Sequence, residues 1–399
     1  MSRNLTSLLP ALALFGAAAG VHAAPLQITN DGSYYQSYGP VLSADGNRLA
    51  YYSATNPTGG NSDRNMEVFV YDRPSAQLRQ ITDMPGGSLA GGNQTPSLSG
   101  DGSRVAFQRY VISGNYAYFQ TQTYDLNTNT LATLTPLGYS ESSAISRDGK
   151  TIAVSIGNVG LKLYDTTTQT FSGVVMPAPL SFRMSGDGKR IVYEAFAQGV
   201  VLYDLATGTS KTISPPGSGY NQYPEISADG NSIVFNARYN PLGQNADGSS
   251  EVFRYDIASG QLLQITHGNG RDSMDASLSR DGTRIVFSSA DDLTGHNADG
   301  NYELFVYDLI AGSFQQMTDT LGLTYSAAGT ISDDGNTIAY MSTMNLDGRN
   351  PYGNYQIFMD TLAPRVTTTD LPEPGTLALA VLALPLIGAA RRCKQPLRG

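Results

Sequence analysis

Short runs of apolar and aromatic residues recur along most of the chain, and each run follows a Ser-x-Asp-Gly phrase. The seven Asp-Gly pairs begin at Asp45, Asp101, Asp148, Asp187, Asp229, Asp281 and Asp334. Asp-Gly between two apolar runs is a strong hairpin signal, and the type I′ turn that it favours needs positive φ at both central residues. No sustained helical period occurs between the two termini. The pattern therefore predicts an all-β fold that repeats one unit seven times.

Each copy contains four predicted strands. One strand precedes Asp-Gly, a second follows it, a third ends in Tyr-Asp, and most copies close on a fourth. In the first copy the first, second and fourth strands contain Val41–Ser43, Leu49–Tyr52 and Gln80–Thr82, and the third ends at Tyr71-Asp72. Four short strands in each unit are typical of a propeller blade. We therefore predict a seven-bladed β-propeller of four-stranded blades.

The sequence also predicts how the ring closes. Leu26–Thr29 has the form of a fourth strand but precedes the first complete copy, whereas the last copy runs from Ile357–Asp360 into Pro364. An unclosed ring would leave an exposed edge strand, which is an aggregation liability. We expect Leu26–Thr29 to close the ring as an N-terminal strand, and Arg365–Thr368 is the alternative.

The repeated Ser-x-Asp-Gly, Tyr-Asp and Ile-Thr pattern resembles the TolB-type β-propeller repeat, a relative of the WD-repeat propellers. The resemblance covers about residues 26–362. In that family the residue before Asp is often Pro, whereas here it is Ala, Gly, Arg or Asp. The sequence contains no Gly-x-Ser-x-Gly elbow, no His-Glu-x-x-His and no phosphate loop with Lys. We therefore assign no catalytic residues, and an enzyme is the less favoured interpretation.

The N-terminus has the pattern of a targeting segment. Residues 1–23 contain Arg3, an apolar stretch from Leu8 to Ala19, and the small-residue motif Val21-His22-Ala23. Together these predict a secretory signal peptide. The expected organisation is therefore a signal peptide at 1–23, the propeller at 24–366, and a linker with a second targeting segment at 367–399.

The C-terminus combines Pro372, Glu373 and Pro374, an apolar run at 377–390 and the basic residues Arg391 and Arg392. This order resembles the PEP-CTERM sorting signal of Gram-negative bacteria. The apolar run predicts a short helix, below the roughly 20 residues of a full span. The resemblance implies transient membrane anchoring by 377–390, processing by an exosortase-type enzyme, and a cell-surface or extracellular protein. The alternative is an ordinary tail anchor with a cytoplasmic basic end.

Composition and charge narrow the possible partners. The formal net charge is −9, and removal of the basic termini would make the mature protein more acidic. An acidic surface opposes binding to nucleic acid. The only cysteine, Cys393, lies in the basic tail, so the predicted propeller contains no disulfide.

A four-stranded blade places its loops on two faces. We call the side with the first-to-second and third-to-fourth turns the Asp-Gly face, and the opposite side the loop-rich face. The spacing from Asp-Gly to Tyr-Asp predicts long second-to-third loops in blades 5, 6, 7, 1 and 2, and short ones in blades 3 and 4. Binding residues are often carried on loops that a rigid scaffold holds. We interpret this crescent as a ligand face, and neutral loop variation is the alternative.

The candidate ligand-binding residues on that face are Tyr34, Tyr35, Tyr38, Tyr220, Tyr223, His267 and His296. A tyrosine offers a flat apolar ring with a polar tip, which suits sugar rings or peptides. The alternative for each tyrosine is packing between blades. The two histidines would hold a metal or supply a base if they lie together, and exposed loop histidines are the alternative.

An alternating Asn-x-Asp motif recurs in the long loops. Its aspartates are Asp63, Asp247, Asp299 and Asp347. Alternating oxygen donors would suit Ca²⁺, although Asn and Asp also cap turns by bonding to the local backbone. No cofactor is required by this interpretation.

The sequence favours an exported, non-catalytic binding or scaffold protein that contacts a polysaccharide or a protein through its loop-rich face. The alternative is a lyase-like, polysaccharide-degrading propeller. A cluster of His267, His296 and carboxylates would favour the enzyme, and scattered, exposed histidines would favour the binding protein.

Overall fold

The computed structural model describes residues 24–363, except 31–34, 87–90, 139, 180, 196–198, 215–222 and 346–347. The described residues form seven four-stranded antiparallel sheets and contain no helix. The predicted seven-bladed β-propeller is therefore confirmed. The predicted signal peptide, the sorting segment with its apolar helix, and the alternative closing strand at 365–368 lie outside the described residues.

Blades 1 to 4 follow the chain from the inner to the outer strand. Blade 1 contains β2 (Ser37–Leu42), β3 (Arg48–Ser53), β4 (Glu67–Asp72) and β5 (Gln77–Gln80). Blade 2 contains β6 (Gly91–Leu98), β7 (Arg104–Ser113), β8 (Tyr116–Asp125) and β9 (Thr130–Thr133). Blade 3 contains β10 (Ser140–Ile145), β11 (Thr151–Ile156), β12 (Gly160–Asp165) and β13 (Thr170–Met176). Blade 4 contains β14 (Phe182–Met184), β15 (Arg190–Ala195), β16 (Gly199–Asp204) and β17 (Thr209–Thr212).

The last three blades include the closing one. Blade 5 contains β18 (Glu225–Ile226), β19 (Ser232–Ala237), β20 (Glu251–Asp256) and β21 (Leu262–Gln264). Blade 6 contains β22 (Ser273–Leu278), β23 (Arg284–Ser289), β24 (Glu303–Asp308) and β25 (Ser313–Gln316). Blade 7 contains β26 (Ser326–Ile331), β27 (Thr337–Ser342), β28 (Gln356–Thr361) and the N-terminal strand β1 (Leu26–Gln27).

The predicted N-terminal closure is confirmed. Strand β1 pairs antiparallel with β28, with Leu26 opposite Met359 and Gln27 opposite Phe358. Just beyond β1, the buried Thr29 hydroxyl accepts a hydrogen bond from Ile357 N at 2.9 Å and donates one to Gln356 Oε1 at 2.6 Å. The two ends of the ring are therefore joined by backbone pairing and by side-chain bonds.

The repeated threonine after the fourth strand has the same role elsewhere. The hydroxyls of Thr82, Thr266 and Thr318 accept hydrogen bonds from N–H groups of the third strand at 2.8–2.9 Å. Each of these threonines also donates to a glutamate at the start of that strand. This contact explains why the Ile-Thr phrase recurs, and Thr29 reproduces it from the other end of the chain.

The Asp-Gly hairpins are confirmed, but the predicted type I′ turn is wrong. In blade 1 the N–H of Gly46 donates to the carbonyl of Ser43 at 3.0 Å, and Gly46 has φ +67°. Asp45 does not have positive φ, and the same holds for the aspartates of the other pairs. Because Ser43 N also donates to Arg48 O at 2.9 Å, the connection consists of the four residues 44–47, with a left-handed glycine at its third position. Asp45 instead accepts a bond from the Ser43 hydroxyl at 2.6 Å.

The core lies between the blades, where the second and third strands of each sheet are buried. Aromatic pairs from these two strands stack with ring centroids 5.5–5.9 Å apart. The stacked pairs are Tyr51–Phe69, Phe235–Phe253, Phe287–Phe305 and Tyr340–Phe358. Offset aromatic stacking stabilises such pairs beyond their buried area, so the blades form a rigid support for the loops.

Candidate functional site

A belt of backbone hydrogen bonds narrows the central channel at the Asp-Gly face. It joins the residue before Asp in one blade to the same position in the next, except that in blade 5 Ala228 accepts the bond and Asp229 itself donates the next one. The donors and acceptors are Ala44 N to Gly100 O, Gly100 N to Arg147 O, Arg147 N to Gly186 O, Gly186 N to Ala228 O, Asp229 N to Arg280 O, Arg280 N to Asp333 O, and Asp333 N to Ala44 O. These bonds measure 2.8–3.1 Å. The belt therefore holds the position before Asp in place. In the TolB-type repeat this residue is often Pro, whereas here it is Ala, Gly, Arg or Asp.

Charged side chains occupy the channel beside this belt. Arg147 of blade 3 forms an ion pair with Asp333 of blade 7. Burial raises the pKa of Asp333, although Arg147 and Arg280 oppose that shift. The pair lies next to a cavity of about 140 Å³ whose lining includes Arg147, Met184 and Gly186. Contacts that hold the ring together therefore occupy the Asp-Gly end of the channel and leave this small cavity between them.

The rest of the Asp-Gly face is also committed to structure. Arg48, Arg190 and Arg284 each donate to the glycine carbonyl of the next blade's Asp-Gly turn, at 2.6–2.9 Å. Arg284 also pairs with Asp308, the aspartate of its own Tyr-Asp turn, at 3.2 Å. These contacts leave the opposite face as the place where side chains are available for a ligand.

The loop-rich end of the channel opens into a cavity of about 390 Å³. Its polar lining residues are Arg183, Glu194, Tyr223, Glu225 and Asp275, among others. Arg183 Nε lies 2.6 Å from Glu225 Oε1, and Glu225 raises the pKa of Arg183. Among the sequence candidates that the structure describes, Tyr223 alone lines this cavity, and 56% of its surface is exposed. We call this cavity the channel mouth.

Asp275 owes its position to a bulge in an inner strand. The register of β22 against β23 shifts between Met274 and Ser277, and Asp275 has φ +55°. The inner strands of blades 1 and 2 have similar bulges, with positive φ at Gly39 and Thr95. A bulge re-aims the side chain that it contains. Here it brings a carboxylate to the channel mouth.

A group of tyrosines stands beside Asp275. The ring centroids of Tyr302 and Tyr325 are 5.0 Å apart, and those of Tyr325 and Tyr355 are 5.9 Å apart at an interplanar angle of 84°. We call these three residues the tyrosine cage. Burial, followed by Asp275, raises the pKa values of Tyr325 and Tyr355. The Tyr325 hydroxyl also lies 3.9 Å from Sδ of Met274, the residue that precedes Asp275.

The other predicted tyrosines are distributed around this centre. Tyr38 stacks on Tyr52 with centroids 5.6 Å apart and lies 6.0 Å from Tyr355, so it extends the tyrosine cage toward blade 1. Tyr35 precedes Tyr38 by three residues, and Cζ of Arg64 lies 5.0 Å from the centroid of its ring. Tyr34 and Tyr220 lie outside the described residues.

The predicted long loops between the second and third strands are present in four of the five blades of the crescent. In blades 1, 5, 6 and 7 the second and third strands are joined by long loops, and in blades 3 and 4 by short connections. In blade 2 the predicted long loop is wrong. Strands β7 and β8 are ten residues long each and continue as a hairpin to a short turn at Gly114.

The two histidines are exposed on the loop-rich face. His267 lines a cleft of about 380 Å³ with Arg271, Asp291 and Asp292, and its Nε2 lies 3.4 Å from Gln244 Oε1. His296 is not part of this lining. Among the residues that the structure describes, no group of three or more His, Cys, Asp or Glu side chains is placed to hold a metal ion.

The Asn-x-Asp motif joins neighbouring loops. Asp247 and Asp299 accept hydrogen bonds from Gly270 N and Gly322 N, in the fourth-to-first loops. Asp63 accepts one from Asn65 at 3.3 Å. Asp347 lies outside the described residues. The described aspartates are on separate blades and each has a bonding partner, and the calcium interpretation stays a prediction.

The fold defines the class of protein as a seven-bladed β-propeller, closed by its N-terminal strand, with a polar cavity at one end of its channel. Residues 164–361 match the family described as the TolB beta propeller domain. This part of the chain is therefore similar to a TolB-type propeller domain, in agreement with the resemblance of the sequence pattern. No curated protein matched the chain.

Two solved structures share the fold. The β-propeller domain of the Trilobed protease from Pyrococcus furiosus is 13% identical, with a TM-score of 0.58, and the match covers 82% of this chain and 96% of that one. That domain is described as having an open velcro topology, whereas here β1 closes blade 7. An oligogalacturonate lyase in complex with manganese is 12% identical, with a TM-score of 0.56 and coverage of 86% and 95%. Likeness at this identity concerns the fold alone.

Proposed function

We propose that this protein is an exported, non-catalytic binding or scaffold propeller that contacts a polysaccharide or a protein through its loop-rich face. The observation that supports this most directly is the difference between the two ends of the channel. The Asp-Gly end is occupied by the backbone belt and the Arg147–Asp333 pair. The loop-rich end opens into the channel mouth. A concave site with a few polar groups on a rigid scaffold is the usual form of a ligand site.

The side chains around the channel mouth suit binding better than catalysis. Tyr223 offers an exposed ring, and the tyrosine cage offers half-buried ones. No histidine is among the described residues that line the cavity, and both described histidines are exposed elsewhere on this face. A lyase-like function would need a base or a metal at the reacting carbon; the channel mouth has carboxylates, of which Glu225 is paired with Arg183, and the described residues form no metal-holding group. This contrast favours the binding protein over the enzyme.

We expect replacement of Tyr223 by alanine to weaken ligand binding about tenfold without changing the unfolding temperature. Loss of a stacked aromatic side chain commonly costs 1–2 kcal/mol or more at a binding site. A glycan array and a pull-down would identify the ligand, and calorimetry would measure its affinity. Ile310→Ala is the matched control, because Ile310 is a large side chain that is 71% exposed on the Asp-Gly face. Lost binding in the control with normal binding by Tyr223→Ala would assign the working face to the opposite side.

The proposal includes export and sorting, which depend on the two terminal segments. Replacing Pro372, Glu373 and Pro374 by alanine should leave an unprocessed form in the membrane fraction, because the sorting enzyme would lose its motif while 377–390 stays attached. Intact-mass analysis of the exported protein measures the C-terminus directly. A wild-type protein outside the cell that still ends at Gly399 would contradict processing. The described part of the chain contains no helix long and apolar enough to cross a membrane.

A further inference from the structure

We infer that Asp275 and the tyrosine cage form a site for an ammonium group, and that its ligand is an amine-bearing polysaccharide. This inference rests on the proposed function, since it assigns a ligand class to the same channel mouth. It depends on the carboxylate, on the rings that surround it, and on the charges of the neighbouring side chains.

The carboxylate of Asp275 is placed for a partner that the protein itself does not supply. Within the described part of the chain, neither a hydrogen bond nor an ion pair reaches it, and burial alone raises its pKa. Its backbone has φ +55°, a conformation that costs free energy in residues other than glycine and is tolerated best by Asn and Asp. The equivalent bulge position in blade 1 is Gly39. Blade 6 therefore holds an acidic side chain at a strained position, which is a common property of functional sites.

The tyrosine cage provides the aromatic part of the site. Tyr302, Tyr325 and Tyr355 are half-buried, and their rings are tilted against one another by 49° and 84°. Non-parallel aromatic walls can present several ring faces to one cation, and this is how ammonium groups are commonly held. The Tyr325 hydroxyl lies 3.9 Å from Sδ of Met274, the residue before Asp275 in the bulge, so the geometry brings Asp275 beside the cage. A cation would contact both.

Two pairs of charged side chains near Asp275 form ion pairs, and Asp275 has no such partner among the described residues. Arg183 pairs with Glu225 at 2.6 Å, and Arg238 pairs with Asp272 beside Tyr302. Asp275 is therefore an uncompensated negative charge in a partly desolvated place, where a cation gains the most. An anionic polyuronate would bring further carboxylates next to Asp275, and Arg183, the basic side chain among the described residues of this lining, is already paired with Glu225. The site should reject it.

The surroundings favour a sugar amine over a lysine. A lysine side chain would bring a flexible four-carbon apolar stem, whereas the channel mouth sets the charged groups of Arg183, Glu194 and Glu225 beside apolar ones. An amine attached directly to a pyranose ring carries hydroxyls beside it. Glu194 and Arg183 would accept from and donate to those hydroxyls, and the exposed ring of Tyr223 offers a stacking surface.

The test uses the mature, folded protein and isothermal titration calorimetry at fixed salt. The two main probes are a β-1,4-linked glucosamine hexamer and the N-acetylglucosamine hexamer of the same length, which lacks the charge. We expect the wild type to bind the amine form at least tenfold more tightly. Asp275→Asn should remove about tenfold of that affinity, because it keeps the shape and tolerates the left-handed backbone but loses the charge. Asp83→Asn is the matched control, since Asp83 is an exposed acid on the same face.

A second pair of variants tests the rings. Tyr355→Phe should retain the affinity, whereas Tyr355→Leu should lose most of it, because a cation is attracted by the ring and not by the hydroxyl. Circular dichroism verifies the fold of each variant. Equal affinity for both hexamers, no binding of the amine form, or a normal Asp275→Asn would overturn the cation site.

Two further outcomes separate this inference from the proposed function. A lysine peptide that binds through Asp275 while the glucosamine hexamer does not would overturn the polysaccharide as ligand. Binding of a neutral or anionic glycan that depends on Tyr223 and not on Asp275 would overturn the cation site and leave the proposed function intact. If loop-face variants change no binding at all, both are wrong.

Discussion

Deletion of Leu26–Thr29 should lower the free energy of unfolding by roughly 4 kcal/mol or more. The deletion removes the outer strand of blade 7, the burial of Ile28 against the blade 7–blade 1 core, and two bonds of the Thr29 hydroxyl. Fully burying an Ile side chain is worth about 1.5–3 kcal/mol, of which the partly buried Ile28 contributes a share, and each hydrogen bond is worth about 0.5–1.5 kcal/mol. The edge of β28 would also lose its pairing. Urea unfolding followed by circular dichroism measures the loss.

A single-atom comparison makes this prediction sharper. Thr29→Val replaces the hydroxyl by a methyl group, and Thr82→Val makes the same change at the equivalent hydroxyl inside blade 1. Thr29 bonds Ile357 N at 2.9 Å, and Thr82 bonds Val68 N at 2.8 Å. If the N-terminal strand functions as an ordinary fourth strand, the two variants should lose similar stability, about 1–3 kcal/mol each. A destabilised Thr82→Val beside an unchanged Thr29→Val would show that the ring does not depend on this closure.

The fold could be predicted because its signals are local and repeated. Each Asp-Gly phrase specifies a hairpin without information from the rest of the chain, and seven copies specify the number of blades. Closure by Leu26–Thr29 followed from the same repetition, since its Gln-Ile-Thr reproduces the fourth strand of blade 1. The turn type was wrong because the Asp-Gly pair does not show which residues have positive φ. The bond from Gly46 N to Ser43 O decides that geometry.

The site was harder to predict because its residues meet only in the ring. Tyr38 and Tyr355 lie near opposite ends of the chain, yet their rings are 6.0 Å apart. Asp275 interrupts the alternation of an inner strand, and the sequence does not distinguish a bulge from an ordinary outward-facing acid. Tyr302 and Tyr355 do share one signal, since each immediately precedes the third strand of its blade. That position faces the channel mouth only when the blades are arranged around it.

The Asn-x-Asp motif shows how one pattern allows two interpretations. Alternating oxygens suit a cation and also suit loop bonding. In the structure the buried Asn61 donates to Thr55 O at 3.0 Å and to Asn65 O at 2.9 Å. Asn245 and Asn297 make the equivalent bond to the residue four positions on, at 2.8 and 3.0 Å. In blade 7 this bond is made at 2.8 Å by Asn350, which lies outside the Asn-x-Asp pattern. The motif therefore gives the long loops their shape, which the sequence alone does not establish.

Replacement of Glu67 by alanine should cost roughly 3–5 kcal/mol of stability, because three buried donors would lose their acceptor. Glu67 is fully buried at the start of β4. It accepts bonds from the Thr82 hydroxyl, from Met84 N at 2.7 Å and from Asn93 Nδ2 at 2.9 Å. Burial raises its pKa, although the bonds from Thr82, Met84 and Asn93 lower it. The carboxylate therefore joins a loop, an outer strand and the next blade.

Two comparisons determine whether this glutamate acts through those bonds. Glu67→Gln should cost less, about 1–2 kcal/mol, since Gln356 occupies the equivalent place in blade 7 and accepts a bond from Thr29 at 2.6 Å. Thermal unfolding of each protein should then be repeated with Ca²⁺ and with EDTA. If the motif shapes loops by hydrogen bonds alone, the cost of Glu67→Ala will be the same in both solutions. A wild type that EDTA destabilises, beside a Glu67→Ala variant that EDTA leaves unchanged, would instead show that the glutamate acts through a bound calcium ion.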